Sequence, residues 1–561
     1  MNKKPRILNY QYFVFLKSII YSIIFHILSF LFLNKKNNIN VNEKIFERYT
    51  RNNLAKWKQN QSNKKDKILI TSFVHHPGYI ITESIIGRHV SNFYNFEPVG
   101  LINFNNALGK KIIKSFNINN FVTHPKISLT QRVKYLFSAF VIIKKIDNID
   151  NFISYTKENI NYGRCIYDHI LRNTSGGTLE HINMKIYFFL AEALFYSNFY
   201  KNLFINEKFK YIVMSETQFL PSNIIFQNAL NNNIKVLSRI GGTKKMSVRL
   251  FKSIKEAFQS NRKISDIQLT SVIKESKKEY FNEGFKIINQ LYEGKREHHD
   301  RKSIKNYINN NQNKKTSEQL LNHFGWDGSR KICAIYSHNL YDGNYKNEWR
   351  IFRDNLTWLR KTLAFIKNEK SEINWIIKDH PSDYGKHRNK STTTFNEFQK
   401  IIGNNKNIKF FPKEFKTNLL REVTHCLFTS QGSAGLEYPC FGIPSIICGD
   451  AYYQGLGFTY EPKNELEYYN LIKNIDKVIL DGLTKDQIKK AQSAFYFFEE
   501  HIKVENPLLF NFDINRNLDL NSFFSLATNK ISEYQPNKDT FNASLREQLK
   551  NNNRHLINYL I

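Results

Sequence analysis

The stretch His425-Cys-Leu-Phe-Thr-Ser-Gln-Gly-Ser-Ala-Gly-Leu-Glu437 reads as a short apolar strand that breaks at Thr429, turns through hydroxyl and glycine residues, and enters a helix. A short apolar run without alternation is a strand buried on both faces, which is the habit of parallel sheets. Working outward, Lys331–Tyr336, Asn374–Lys378 and Asn407–Phe411 upstream and Ser445–Cys448 downstream have the same character. Helical patterns fill most of the intervals, notably Trp349–Ile366 and Thr417–Val423, so strands alternate with helices as in βαβ units.

The first half repeats the theme. Lys67–Phe73 runs into His75-His76-Pro77-Gly78, Pro98–Phe104 follows, and after a long helical region come Lys210–Glu216 and Ile234–Ile240, closed by Gly241-Gly242. The predicted fold class is therefore α/β: two Rossmann-like domains facing across a cleft, with an N-terminal hydrophobic helix. In order, residues 1–34 form the hydrophobic helix, 35–66 a basic connector, 67–242 the first Rossmann-like domain and 243–330 a helical bridge. Residues 331–462 form the second Rossmann-like domain, 463–510 closing helices, and 511–561 an Asn-rich tail with little pattern.

A chain of 561 residues has room for this, at roughly 100–200 residues per domain. Hydrophobic residues at 41% and charged residues at 23% fit a globular protein. The five cysteines (Cys165, Cys333, Cys426, Cys440, Cys448) are scattered and form neither a disulfide framework nor a zinc pattern, which suits a reducing cytoplasm. The net charge of +33 invites a polyanionic partner, although a chain so rich in Asn, Lys and Ile also reflects an AT-rich genome. The charge is uneven. Residues 1–66 hold 13 Lys/Arg against 3 Asp/Glu, whereas residues 331–462 hold 18 against 13. The excess is densest beside the apolar run Tyr12–Leu33, which is long enough to span a membrane, while Ser18, Ser22, His26 and Ser29 draw a weakly polar stripe that also suits a helix lying in the interface. An anionic membrane surface is the expected partner, with the main body on the cytoplasmic side of the inner membrane.

Ligands of open α/β sheets bind at the carboxyl ends of the strands, and the polar residues of the second half gather there. Ser337-His338-Asn339 and Tyr341-Asp342-Gly343 follow one strand, and Asp379-His380-Pro381 follows another, with Lys378 at its last position. Ser430-Gln431-Gly432-Ser433-Ala434-Gly435, with Glu437 one turn on, and Gly449–Gly455 follow the other two. The Ser430–Gly435 turn suits a phosphate at a helix N-terminus but lacks the P-loop lysine and the G-x-G-x-x-G spacing, so ATP and NAD are not supported. His380 can donate to a phosphate or leaving oxygen, Pro381 fixes the chain direction, and Glu437 can accept from a sugar's vicinal hydroxyls or complement the helix dipole. His298-His299-Asp300 and His75-His76 lack the further ligands a metal site needs, and metal is not expected. No aromatic–basic recognition motif accompanies the charge, so nucleic acid is not expected either.

The series Ser337-His338…Asp342, Trp358-Leu359, Lys378-Asp379-His380-Pro381, Ser430–Glu437, Gly442-Ile443-Pro444 and Gly449-Asp450-Ala451-Tyr452-Tyr453-Gln454-Gly455-Leu456-Gly457-Phe458-Thr459 resembles the capsular polysaccharide biosynthesis family, which includes the Kdo transferases of capsule assembly. The likeness covers roughly residues 337–462. Asp379 replaces the family's first Pro, Ile443 its usual Lys, and Gln431-Gly432 interrupts a serine pair; these departures bear on the donor more than on the fold. The resemblance implies a GT-B glycosyltransferase that moves a sugar, Kdo from CMP-Kdo among the possibilities, from a nucleotide-activated donor to a glycan or glycolipid. No cofactor beyond that nucleotide sugar is implied, and other polysaccharide assembly proteins are possible partners. It places Lys378, His380, Pro381, Ser430, Gln431, Gly432, Ser433 and Gly435 around the donor phosphate and Glu437 at the ribose or transferred sugar, with His338, Asp342 and Tyr453 in the same donor set. In the first half, Tyr162-Gly163-Arg164 and Ile166–Arg172 resemble an acidic/Arg motif of surface-carbohydrate synthesis. That likeness makes Asp168 the candidate catalytic carboxylate and Arg172 a phosphate or acceptor contact; Glu216, at a strand end facing the inferred cleft, is the rival carboxylate. A CDP-glycerol-type glycerophosphotransferase and a non-catalytic assembly or export factor are the alternative readings.

Overall fold

The computed structural model describes residues 4–33, 41–57, 66–71, 73–74, 76–103, 106–174, 176–241, 244–275, 279–295, 315–345, 349–369, 372–383, 390–512 and 518–558. His75, Gly242 and His298-His299-Asp300 lie outside them. The chain forms two compact units.

The first unit comprises Met1–Ile170, Leu179–Ala257 and Ile502–Ile561. Its strands are β1 (Lys67–Thr71), β2 (Glu97–Ile102), β3 (Asn120–Thr123), a small hairpin of β4 (Thr156–Lys157) and β5 (Ile160–Asn161), then β6 (Phe209–Met214), β7 (Lys235–Ile240) and β8 (Lys245–Phe251). β1 pairs in parallel with both β2 and β6, and β6 with β7, and the run continues outward through β3 on one side. Ile68, Leu69 and Ile70 are wholly buried, as a strand covered on both faces requires. The helix Pro77–Tyr94 covers one face: Pro77 opens it, the His76 ring accepts the Gly78 N–H, and at Gly87 a β-carbon would overlap Ile70.

Three departures from the sequence reading belong to this unit. The helical bridge expected from residue 243 opens instead with β8, which runs antiparallel to β7. Met246, Val248 and Leu250 do alternate, but Ser247 and Arg249 are buried as well, which hid the strand period. Within the expected connector lies the helix Glu43–Lys56, capped by Asn42. Finally, the Asn-rich tail folds. The helices Leu520–Glu533 and Thr540–Lys550 bury Phe523, Phe524, Ala527 and Ile531, then Phe541, Leu545 and Leu549, at helical spacing. Beyond them, Leu250 and Leu556 exchange backbone bonds with Arg554 and Val248, and β14 (Val504–Glu505) pairs with β8.

The second unit comprises Leu171–Thr178 and Phe258–His501. Its five strands are β9 (Ile332–Tyr336), β10 (Asn374–Lys378), β11 (Ile408–Phe410), β12 (Cys426–Thr429) and β13 (Ser445–Ile447), each within a residue or so of the expected range. All pairings are parallel, in the order β11-β10-β9-β12-β13. The chain walks from β9 out to β11 and then returns to the far side of β9, so the order reverses between β9 and β12. In an open parallel sheet that reversal is where a ligand crevice opens. The helix Asn355–Asn368 starts later than expected because Asp354 caps it, and Trp358, Leu359 and Leu363 pack it on the sheet.

Candidate functional site

Residues Trp349–Ile351 do not join that helix; they run beside Cys448–Asp450. Asp450 N–H donates to the Trp349 carbonyl (2.7 Å) and Ile351 N–H to that of Cys448 (3.1 Å). This pairing delivers Arg350 to the switch point, where Nη2 donates to Asn355 Oδ1 (2.6 Å) and reaches Ser430 Oγ (3.3 Å). Asn355 uses its whole amide. Oδ1 also accepts from Ser430 Oγ (2.9 Å), while Nδ2 donates to the Asn339 carbonyl (2.8 Å) and to His338 Nδ1 (3.1 Å). The loops after β9 and β12 are thus stitched together through one buried side chain. Gln431 Nε2 adds a bond to the Gly343 carbonyl (2.7 Å), and the Ser430 carbonyl accepts the Gly449 N–H (2.8 Å).

His338 Nδ1 stands between the Asn355 amide (3.1 Å) and the Asn339 carbonyl (3.4 Å). Burial, with Arg350 nearby, pushes the ring down to about 4, so it is neutral at physiological pH and offers an N–H. The His380 ring stands 5.8 Å from it, centroid to centroid, at the end of β10. Lys378 is placed differently from the expectation of a phosphate contact. Its buried ammonium pairs with the Asp379 carboxylate and donates to the Asp379 carbonyl (2.9 Å), so the residue that replaces the family's Pro engages it. Desolvation raises the Asp379 carboxyl against the pull of Lys378. Pro381 opens a short 3-10 turn ending at Asp383, whose carboxyl burial raises to about 6.

Gly432, Ser433 and Gly435 form the turn, but the helix behind it is shorter than expected: Ala434–Glu437, followed by Pro439 and a 3-10 turn. Proline lacks the N–H to continue it, and so brief a helix has little dipole. Tyr453 is fully buried behind the turn. Its hydroxyl donates to the Gly432 carbonyl, and a β-carbon at Gly435 would overlap that hydroxyl. Tyr453 therefore supports the turn from beneath. Glu437 is buried and accepts from the Tyr292 hydroxyl (3.0 Å). Asp342 is ion-paired with Arg172 (3.0 Å), which engages the Arg172 guanidinium that was expected to meet phosphate or acceptor.

Asp168 and Glu216 lie in the first unit and share one partner. Gln218 donates its side-chain amide to Asp168, which is buried, and its backbone N–H to Glu216 (2.6 Å). Just past the end of β6, the wholly buried Glu83 accepts the Ser215 N–H (2.8 Å), while Arg239, within β7, donates from Nε to Ser215 Oγ (2.9 Å) and stacks on Tyr79. Burial raises Glu83 to about 7.

Sequence reasoning missed Arg350, Asn355, Lys263 and Glu83. Lys263 pairs with Asp450 (2.9 Å) and bonds Gln454, which anchors the loop after β13 from a segment far away in sequence. None of the four stands at a strand end, the only positional signal used. Among the described residues no group of three His, Cys, Asp or Glu side chains is placed to hold a metal ion.

Comparison with known proteins adds the following. No curated protein sequence matches the chain. Among solved structures it is similar to the KpsC β-Kdo 2,4 transferase of Thermosulfurimonas dismutans (10% identity, TM-score 0.26, covering 53% of this chain and 85% of that one). It is also similar to a glycosyltransferase of Rickettsia africae (11%, 0.25, 84% and 100%) and to a UDP-N-acetylglucosamine 2-epimerase of Listeria monocytogenes (11%, 0.25, 76% and 91%). The family comparison is local and sharper: residues 353–497, which include β10 to β13 and the loops that follow β10, β12 and β13, match the family of capsule polysaccharide biosynthesis proteins.

Proposed function

We propose that the chain is a glycosyltransferase of capsule or other surface polysaccharide synthesis that takes its sugar from a nucleotide-activated donor. The observation that carries this reading is the polar rim at the switch point of the second unit, where Asn355 and Ser430 of the matched segment form one bonded cluster with Arg350 and His338. A departing nucleotide phosphate needs fixed positive charge and pre-aimed donors. Arg350 supplies the charge, and His338, His380 and the Ser430–Gly435 turn supply donors. Glu437 adds a carboxylate suited to the vicinal hydroxyls of a ribose or sugar. With Arg350 in this role a divalent ion is unnecessary, so chelator should leave the rate unchanged. For the acceptor's proton the candidates are Asp168 and Glu216 in the first unit. Asp168→Asn should lower the rate at least about 100-fold if Asp168 is the base, against little change for Glu216→Gln.

The test is a panel of nucleotide sugars, CMP-Kdo first, incubated with purified protein and a glycan or glycolipid extract. Release of nucleotide from one donor, abolished by His380→Ala, is the expected result. Release of CMP from CDP-glycerol in the same panel would assign a glycerophosphotransferase instead. Binding of a donor without any transfer would indicate an assembly factor that retains the fold.

A further inference from the structure

The helix Lys4–Leu33 wears its polarity the wrong way round for a protein surrounded by water. Two residues of its weakly polar stripe, Ser18 and Ser22, face inward; with Gln11, Val14 and Phe15 they are buried against the helices Leu129–Ile143 and Met184–Asn206. The serine hydroxyls return to the helix's own carbonyls, Ser18 to Phe15 (2.6 Å) and Ser22 to Ser18 (2.8 Å), so small side chains allow close approach. The opposite stripe faces outward and is apolar. Phe13, Leu16, Ile20, Ile24 and Ile27, at helical spacing, are each 50–57% exposed.

The patch is not confined to one helix. Phe137 and Val141, on the neighbouring helix, are 54% and 57% exposed, and Phe137 lies 5.3 Å from Phe15, ring to ring. Contiguous apolar surface of this kind on a folded body marks an interaction face. Basic residues border it. Lys17 stands over the Phe13 ring (4.3 Å), and Lys144 and Lys145 are exposed beside Ile146, whose carbonyl accepts from Gln11.

We propose that this two-helix face docks in the plane of an anionic bilayer leaflet, with the helix Lys4–Leu33 lying in the interface and attached to the first unit. Apolar side chains with lysines at their border suit acyl chains beneath acidic headgroups. The same lysines would repel one another across a contact between two copies. Crossing the membrane would strip Val14, Phe15 and Ser18 from their seat, beneath which the buried Arg132 lies over Phe188 (4.2 Å) and near Glu192 (3.8 Å).

The test uses the full chain in flotation with vesicles of phosphatidylcholine alone or with about 30% phosphatidylglycerol. The parent should bind the acidic vesicles, and more weakly in high salt. Ile20→Glu and Phe137→Glu should each lower partitioning roughly tenfold or more while leaving the melting temperature unchanged, because both positions are exposed. Phe137→Glu decides between modes, since a helix that spans or swings free would not sense it. Binding by Phe137→Glu equal to the parent would overturn the proposal, as would protection of the first residues from protease added outside sealed vesicles. A dimer broken by Ile20→Glu, with no vesicle binding, would give the face to a second copy and overturn it too.

Discussion

Asn355 carries more of the candidate site than any residue with evident chemistry, because its one amide bonds His338, Arg350 and Ser430 together. Replacing it with Ala leaves buried partners unsatisfied, so Asn355→Ala should cost about 2–3 kcal/mol in chemical denaturation and abolish donor binding in calorimetry. Gly435 makes a second prediction at this scale. Gly435→Ala forces the Tyr453 hydroxyl aside and should destabilise by about 1–3 kcal/mol, whereas adding Tyr453→Phe removes the clashing oxygen and should recover part of the loss; a double-mutant cycle measures the coupling. Glu83 gives the pH dependence. Its folded pKa of about 7 lies above the ordinary 4.5, so the folded state holds the extra proton between these values and stability falls as pH rises through them. Glu83→Gln should therefore raise the melting temperature at pH 8, by a free energy on the order of 3 kcal/mol, and change it little at pH 4.

At the scale of elements, the five strands of the second unit were legible because each is a short apolar run ended by a polar loop, and the strand-end rule then led to His338, His380 and the Ser430 turn. The Arg350 segment was not legible. Trp349–Ile351 gains its extended form from pairing with Cys448–Asp450, a partner about a hundred residues on that no local period announces. Nor was the support role of Tyr453 visible, since a tyrosine in a loop reads the same whether it faces a ligand or props a turn. The C-terminal helices were masked by composition: Asn-rich solvent faces concealed a regular core stripe at Phe523, Phe524, Ala527 and Ile531. That stripe meets the helix Glu43–Lys56, with Phe524 4.9 Å from Phe46. Phe524→Ala should accordingly cost about 3–5 kcal/mol in equilibrium unfolding of the first unit, the range for emptying a buried aromatic site.

For the molecule as a whole, +10 of the +33 charge lies in residues 1–66, whereas residues 331–462, twice as long, carry only +5. A basic front end beside an outward apolar face fits a protein that works at a membrane surface, and the lower charge of residues 331–462 fits a segment that binds a small phosphorylated donor by a few placed groups. The central claim is that this donor sits on the rim where β9 and β12 part. It is tested most directly by nucleotide release from the donor panel, comparing the parent with Arg350→Ala at matched folding. The account predicts one nucleotide sugar turned over by the parent and at least about a hundredfold less by Arg350→Ala, the scale of losing one electrostatic contact to the leaving group. Turnover unchanged in Arg350→Ala, or no donor bound or consumed by the parent, would contradict it.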